Sequence, residues 1–306
     1  MQEVEKQTGG RVTFERHYGG DLSRPGEEDD QLKDGLIDFT QVASIFSPGT
    51  MPLWEMDASI PFRPSNVKMV NTIKWTLFNE FPELRAEIDR LNSTCVYVSS
   101  YGCYETIANR PLPDVASYKG LKVAVVGRFM PTWYSAIGGI PITMPLSDRY
   151  QSLQSGVIDA SSMTVSGHEQ WKFYETCKHH GLPHFGDYAA MSGDIRNDAW
   201  KKISAQDQET IKAIGQKLMQ EYAPGYYAEV LEESMVRMKG YGVTFYDYTP
   251  EQRAQWAASI PNFAQQWINE ATTDADHQVR IKMWKRYLEL SKQMGYQWPT
   301  DWSDVK

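Results

Sequence analysis

Histidines are the residues of this chain whose type and spacing could carry chemistry. His180 and His184 are four positions apart, a spacing that on a helix places two metal-binding side chains on one face. Gly181 and Pro183 lie between them and disfavour a regular helix. We therefore interpret this cluster, which also includes His179, as solvent-exposed loop histidines.

Other catalytic signatures are missing from the sequence. His168-Glu169 lacks the second histidine of an HExxH zinc helix, and the chain has no phosphate-binding glycine-rich loop, GxSxG elbow or CxxC pair. A hydrolase or transferase requires a nucleophile–base or acid–base pair, and none can be assembled from these motifs. The sequence therefore predicts a protein that is not an enzyme and uses no cofactor.

The composition indicates a globular protein of two domains. The 306 residues are 41% hydrophobic and 23% charged, and this length is sufficient for two cores of ordinary size. A net charge of -8 argues against a nucleic-acid partner, and no apolar run is long enough to cross a membrane. The odd number of cysteines predicts buried thiols and not a disulfide framework; they are Cys95, Cys103 and Cys177.

The stretch from Gly120 to Thr164 is predicted to form the strands and helices that would position a ligand-binding site. It predicts a strand at 123–126, a helix at 130–138, a strand at 140–144, a helix at 147–154 with Ser147 as N-cap, and a strand at 157–161. Alternating strands and helices are typical of a parallel sheet covered by helices, in which ligands bind at the carboxyl ends of the strands.

The rest of the chain is predicted to be mainly helical. Strands are expected at 11–17, 39–43 and 96–100. Helices are expected at 1–7, 27–33, 66–90 with a break near Pro82, 206–238 with a kink or break at Pro224-Gly225, 250–267 and 274–294. Four tryptophans have helical spacing and are expected in the core: Trp200, Trp256, Trp267 and Trp284.

Several motifs together resemble those of the solute-binding proteins of tripartite ATP-independent periplasmic (TRAP) transporters, DctP-type. They are Lys119-Gly120-Leu121-Lys122, Gly138-Gly139-Ile140-Pro141, Tyr150-Gln151-Ser152-Leu153-Gln154-Ser155-Gly156-Val157-Ile158-Asp159, Gln7-Thr8-Gly9-Gly10-Arg11-Val12, Gly35-Leu36-Ile37-Asp38-Phe39, Ile60-Pro61-Phe62 and Asn109-Arg110-Pro111. The resemblance covers nearly the whole chain.

The resemblance implies an α/β, two-lobe periplasmic binding protein fold. Each lobe is a mainly parallel sheet flanked by helices, and a long helix spans the lobes. Lobe I would comprise 1–101 plus 189–228, and lobe II 102–188 plus 229–306. Family members have a signal peptide and a first strand ahead of this point, so we expect both to be missing. Asp159 would be a structural residue.

The resemblance also implies a function. The chain would be a periplasmic monomer that captures a small organic solute in the cleft between its lobes, closes on it and delivers it to the membrane permease subunits of a TRAP transporter. Two alternatives stay open: an enzyme of unknown class, and a sensor that uses the same fold without transport.

Departures from the family pattern concern the ligand. An arginine that normally binds the ligand carboxylate is replaced by Ala124, a second arginine by Tyr104, and an asparagine by Met163. A carboxylate buried without a partner costs several kcal/mol, so we expect a neutral, aromatic or cationic solute. The alternative is a carboxylate bound by Arg128, four residues past Ala124.

Aromatic residues would form the walls of the implied site, and acidic residues would neutralise a cationic solute. The aromatic candidates are Trp54, Tyr101, Tyr104, Trp133 and Tyr134, with Tyr188 as a further contact. The acidic candidates are Glu55, Glu105 and Asp187. Aromatic faces suit either stacking with a ring or contact with an organic cation.

Overall fold

The computed structural model describes residues 1–18, 21–23, 26–47, 49–100, 102–188 and 191–306. The chain forms two compact units, each assembled from separate stretches of sequence. Unit 1 comprises Met1–Glu55, Val67–Ser100 and Ala189–Gly225. Unit 2 comprises Met56–Asn66, Tyr101–Tyr188 and Tyr226–Lys306.

The secondary structure alternates between short strands and helices. The strands are β1 (Phe39–Ala43), β2 (Ser93–Ser99), β3 (Tyr104–Ala108), β4 (Lys122–Val125), β5 (Ile140–Thr143), β6 (Ala160–Thr164), β7 (His179–Leu182), β8 (Met191–Arg196) and β9 (Thr244–Asp247). The helices are α1 (Gln2–Gln7), α2 (Glu28–Asp34), α3 (Met56–Ser59), α4 (Val67–Glu80), α5 (Pro82–Asp89), α6 (Met130–Ser135), α7 (Leu146–Gln154), α8 (Val165–Gln170), α9 (Asn197–Trp200), α10 (Ala205–Lys217), α11 (Ala223–Gly240), α12 (Pro250–Ser259), α13 (Phe263–Asn269) and α14 (Asp274–Gln293).

Unit 1 is built on a three-stranded sheet in the order β1-β8-β2. Both pairings are antiparallel, so the described strands differ from the mainly parallel sheet expected for this lobe. The central strand, β8, comes from a later stretch of the chain and points in the direction opposite to β1 and β2, so neither of its pairings is parallel. Helix α10 packs closely on this sheet at Gly215, where a Cβ atom would lie 2.3 Å from the carbonyl oxygen of Val96.

Unit 2 contains a six-stranded mixed sheet in the order β5-β4-β6-β3-β7-β9. Strand β4 is parallel to β5 and β6, and β7 is parallel to β9, whereas β3 is antiparallel to both of its neighbours. The carboxyl ends of β4, β5, β6 and β7 therefore meet at one edge of the sheet, together with the start of β3. We call this the carboxyl edge of unit 2.

Side chains on the two faces of this sheet are buried. Ile107, Ala124 and Leu182 face a core that includes Leu153 of α7 and Met238 of α11. The tryptophans predicted to be core residues are fully buried in unit 2 at positions 256, 267 and 284, while the tryptophan at position 200 is partly buried against the core of unit 1.

Residues 56–66 pack with unit 2, whereas the sequence prediction assigns them to lobe I. Phe62 explains the difference, since its ring centroid lies 5.2 Å from that of Phe185 and 6.2 Å from that of Trp256. Aromatic burial of this kind depends on tertiary contacts and has no local signature in the sequence.

The long helical segment predicted across the two lobes is continuous from α10 to α11. A π-helical turn, Leu218–Tyr222, connects them immediately before Pro224. Proline cannot donate to the carbonyl group four residues earlier, and its ring crowds that group. The wider π-helical turn accommodates the proline, so the helix changes its hydrogen-bond pattern where a kink or break is predicted.

Local predictions differ from the structure in three further places. Residues 11–17 alternate in burial but form no strand, because the Phe14 amide donates to the side chain of Glu5. Ser147 lies inside α7 and does not cap it.

The strand predicted at 157–161 is β6, which begins three residues later, at Ala160. Asp159 precedes the strand because its carboxylate accepts a hydrogen bond from the Lys122 amide at 2.9 Å. The structural role expected for Asp159 is consistent with this contact.

The three cysteines are free. Cys177 is buried as predicted, and burial raises the pKa of its thiol to about 12, whereas Cys95 and Cys103 are only partly buried. Within the described ranges, no helix has the length and apolar character needed to cross a bilayer.

Candidate functional site

The three positions where the family pattern is replaced lie on neighbouring strands of unit 2. Ala124, on β4, is fully buried and pairs in register with Ser161 of β6. Tyr104 begins β3 and Met163 lies near the end of β6, and both are partly buried. Because β3 runs antiparallel to β6, Tyr104 and Met163 both lie at the carboxyl edge of unit 2.

Three of the predicted aromatic contacts form one cluster in unit 2. The ring centroid of Tyr188 lies 5.1 Å from that of Tyr104 and 5.4 Å from that of Trp133. Tyr188 and Trp133 are each only 1% exposed, so Tyr104 supplies the accessible ring surface. Tyr134 is fully buried and hydrogen-bonds Thr106 at 2.7 Å. The structure therefore brings these rings together as a buried support behind Tyr104.

A close approach of the backbone fixes the position of Tyr188. The Tyr188 hydroxyl donates to the carbonyl oxygen of Val126 at 2.9 Å. Gly127 has φ +66°, and a Cβ atom there would lie 2.2 Å from the Tyr188 hydroxyl oxygen. Only glycine meets both requirements without strain.

Arg128 is not placed as a carboxylate clamp. Its guanidinium makes two hydrogen bonds to Glu270, at 2.6 and 2.7 Å, and lies 4.1 Å from the centroid of the Phe129 ring. A bidentate pair of this kind already satisfies the planar fork of the arginine.

The acidic candidates in unit 2 are buried and engaged within the fold. Glu105 accepts hydrogen bonds from the His184 amide and the His184 ring, both at 3.0 Å, and the other ring nitrogen of His184 lies 2.7 Å from Asp247. Asp187 is fully buried and interacts electrostatically with Arg63. These carboxylates are committed to the fold.

The imidazole ring of His184 carries a positive charge at pH 7. Burial alone would lower the pKa of His184, but its hydrogen bonds and ion pairs with Glu105 and Asp247 outweigh that effect and raise the pKa to about 9. The interpretation of the histidine cluster as exposed loop residues is wrong, although His184 does lie in a loop, where it is partly buried. His179 and His180 lie on β7, and His180 is fully buried with its Nε2 3.0 Å from Nδ1 of His168.

Cys103, Glu105 and His184 form a group that could hold a metal ion, since one ligand atom of each lies within 4.8 Å of the others. The histidine nitrogen in this group already faces a carboxylate oxygen as an ion pair, and burial raises the pKa of the Cys103 thiol well above its usual value. Deprotonated thiol and neutral imidazole are the forms that bind metals, so this group does not fit a metal centre as it stands.

The remaining candidates lie elsewhere. Trp54 belongs to unit 1, where it is 5% exposed, donates from its indole nitrogen to the Leu84 carbonyl and packs against Phe78. Glu55 is also buried in unit 1. Tyr101 lies outside the described residues.

One residue at this edge was not predicted. Arg149, on α7, is 1% exposed and directs its guanidinium to the carboxyl edge of unit 2. Its position could have been found from helical spacing, because it lies three residues after Leu146 and four before Leu153, on the apolar face of the helix.

Two α/β units, one with the carboxyl ends of parallel strands gathered at a single edge, are the architecture of a two-lobe solute-binding protein. Comparison with known proteins identifies the family. A model described as bacterial extracellular solute-binding protein, family 7 (DctP), matches residues 1–270, and the chain belongs to this family.

Individual relatives agree with this assignment. The chain is 26% identical to the sialic acid-binding periplasmic protein SiaP of Vibrio cholerae over 230 residues, which are 73% of this chain and 70% of that protein. A solved TRAP periplasmic solute-binding protein from Desulfovibrio salexigens has 17% identity and a TM-score of 0.84, covering 100% of this chain and 91% of that one. Another, from Bordetella bronchiseptica with bound (R)-mandelate and (S)-mandelate, has 22% identity and a TM-score of 0.79, covering 96% and 92%. The predicted family and the two-lobe fold are confirmed.

Proposed function

We propose that this protein is the extracytoplasmic, periplasmic subunit of a TRAP transporter, which binds a small organic solute and delivers it to membrane permease subunits. Membership of the family over residues 1–270 carries this proposal. The free energy of binding would favour one conformation of the protein and not a transition state.

The contacts of the reactive side chains support binding without turnover. His184 has both ring nitrogens facing carboxylates, and the thiols of Cys103 and Cys177 have raised pKa values, so these groups are poor bases and nucleophiles. An enzyme of unknown class is the less favoured alternative.

The solute is proposed to carry a ring or other flat apolar body that packs on Tyr104, and not to be held by an arginine at strand position 124. The cationic version of the sequence prediction loses support, since Glu105 and Asp187 are engaged inside unit 2. A carboxylate bound by Arg128 is not favoured either, because Glu270 occupies its guanidinium. Mandelate, bound by the Bordetella bronchiseptica relative, combines a ring with an acid group.

A thermal-shift screen against a broad solute library tests binding, because a ligand that binds only the folded state raises the melting temperature. Solutes recovered after incubation with excess protein should be chemically unchanged; conversion in proportion to protein would contradict the proposal. Uptake by vesicles that carry the cognate permease should require this protein, and uptake that is independent of it would favour the sensor alternative.

A further inference from the structure

Arg149 reaches three neighbouring strands of unit 2 from helix α7. One terminal nitrogen, Nη1, donates to the Ser161 hydroxyl and to the Ser162 carbonyl, both at 3.0 Å. The other, Nη2, donates to the carbonyl of Val125 at 3.0 Å and to that of Met144 at 3.4 Å. The guanidinium therefore lies where β4 ends, beside the middle of β6 and just past the end of β5.

This arginine has no acidic partner among the described residues. Of the other buried arginines in that part of the chain, Arg63 pairs with Asp57 at 2.6 Å and Arg280 pairs with Asp276 at 3.1 Å. Arg149 has only neutral hydrogen-bond acceptors, and its Nε is buried with no hydrogen-bond partner in the described structure. A buried charge that lacks an opposite charge is costly.

The ionisable groups that face Arg149 do not balance its charge. They are the phenols of Tyr104 and Tyr134 and the imidazole of His168. Burial lowers the pKa of His168 and raises that of Tyr134, so both are neutral at pH 7. Burial also lowers the pKa of Arg149, to about 10, which leaves the guanidinium charged at pH 7.

The position of Arg149 is related to that of Ala124. Ala124 pairs with Ser161, and the Ser161 hydroxyl accepts from Arg149. A guanidinium thus reaches the residue next to the strand position at which the sequence predicts none, and it arrives from a helix.

We propose that Arg149 supplies the positive charge that pairs with an acidic group of the solute at the carboxyl edge of unit 2, so that the ligand is an organic acid. This inference rests on the proposed function. Tyr104, partly exposed and close to the guanidinium, contacts the body of the same solute. Charge selection is then decided by a residue on a helix and not by one on a strand.

The experiment compares acids with their uncharged amides, beginning with mandelate and mandelamide and with sialic acid and its amide. Calorimetry is performed on the wild type, Arg149→Met, Arg149→Lys and a control, Arg237→Met. Arg237 is 43% exposed and pairs with Glu169 and Glu233, so its substitution changes the net charge equally without touching the site.

The wild type is expected to bind at least one acid of a library of such pairs about tenfold or more tightly than its amide, because a buried charge pair discriminates strongly. Arg149→Met should remove this preference, Arg149→Lys should retain part of it, and Arg237→Met should leave it unchanged. A purely structural role for Arg149 would weaken acids and amides equally.

Two results would overturn the inference: equal affinity of acids and amides for the wild type, or an unchanged preference in Arg149→Met. The first needs no variant and stands even if Arg149→Met does not fold. If the wild type binds solutes but prefers neutral ones, only this inference fails. If it binds no solute of any charge, the proposed function fails with it.

Discussion

Arg128 and Glu270 are joined by two hydrogen bonds, from Nη1 to Oε1 at 2.6 Å and from Nη2 to Oε2 at 2.7 Å. The two side chains are 43% and 30% exposed, and the pair links the loop after β4 to the residue that ends α13.

Arg128→Ala should therefore leave solute affinity within about threefold of the wild type, and it should lower the free energy of unfolding by about 1 kcal/mol or less, as is usual for exposed ion pairs. Calorimetry and urea unfolding measure the two quantities. Glu270→Gln breaks the same pair and is the control. Loss of binding in Arg128→Ala alone would mean that this arginine leaves Glu270 to hold the solute.

The ion pairs of His184 should make stability depend on pH. The pKa of His184 is raised to about 9 from an unfolded value of about 6.5, so its stabilising contribution is complete below about pH 6.5 and is lost as the pH rises through 9. The destabilisation caused by His184→Gln should shrink by roughly 1–2 kcal/mol between pH 6 and pH 10, after allowance for solvent screening. Urea unfolding at the two pH values measures it.

His277→Gln, in α14, is the control for this pH series. If the destabilisation by His184→Gln does not change with pH, the imidazole is not held as a cation by Glu105 and Asp247.

Asp194 in unit 1 should also make stability fall as the pH rises, but through the burial of a carboxyl group and not through an ion pair. It is fully buried on β8, accepts a hydrogen bond from Ser192, and burial raises the pKa of Asp194 to about 7. Between about pH 4 and pH 7 the unfolded chain releases this proton while the folded chain retains it, so stability falls as the pH rises.

We therefore compare the free energies of unfolding of Asp194→Asn and the wild type. The difference in favour of the variant should be larger at pH 8 than at pH 4, by roughly 1–4 kcal/mol. Asp198→Asn, which alters an exposed partner of Arg196, is the control. Equal pH dependence of the wild type and Asp194→Asn would show that Asp194 ionises normally in the fold.

Gly127 should tolerate no side chain. In Gly127→Ala the new Cβ would meet the Tyr188 hydroxyl in a backbone conformation of φ +66°, so we expect a loss of about 1–3 kcal/mol in the free energy of unfolding. Gly225→Ala is the matched control, since a Cβ there meets nothing within 4 Å, and alanine should stabilise helix α11 slightly. Chemical denaturation of both variants compares them; equal stability would contradict the close approach.

Local features of the sequence determined most elements. Strand β1 has the predicted bounds, and the helix predicted over 66–90 is divided at Pro82, because side-chain alternation and proline geometry act within a few residues. The whole-chain motifs were sufficient to identify the family and the fold. The resemblance likewise pointed to Ala124, Tyr104 and Met163 as departures from the family pattern.

Tertiary structure decided which charges meet. The partner of Arg128 is 142 residues away, and His184 is set between Glu105 and Asp247 by the pairing of β7 with β3 and β9. Such pairs depend on strand order and register, which local patterns do not encode. Arg149 is the clearest case. The sequence shows only an arginine among apolar helix positions, and the order β5-β4-β6 places its guanidinium against three neighbouring strands.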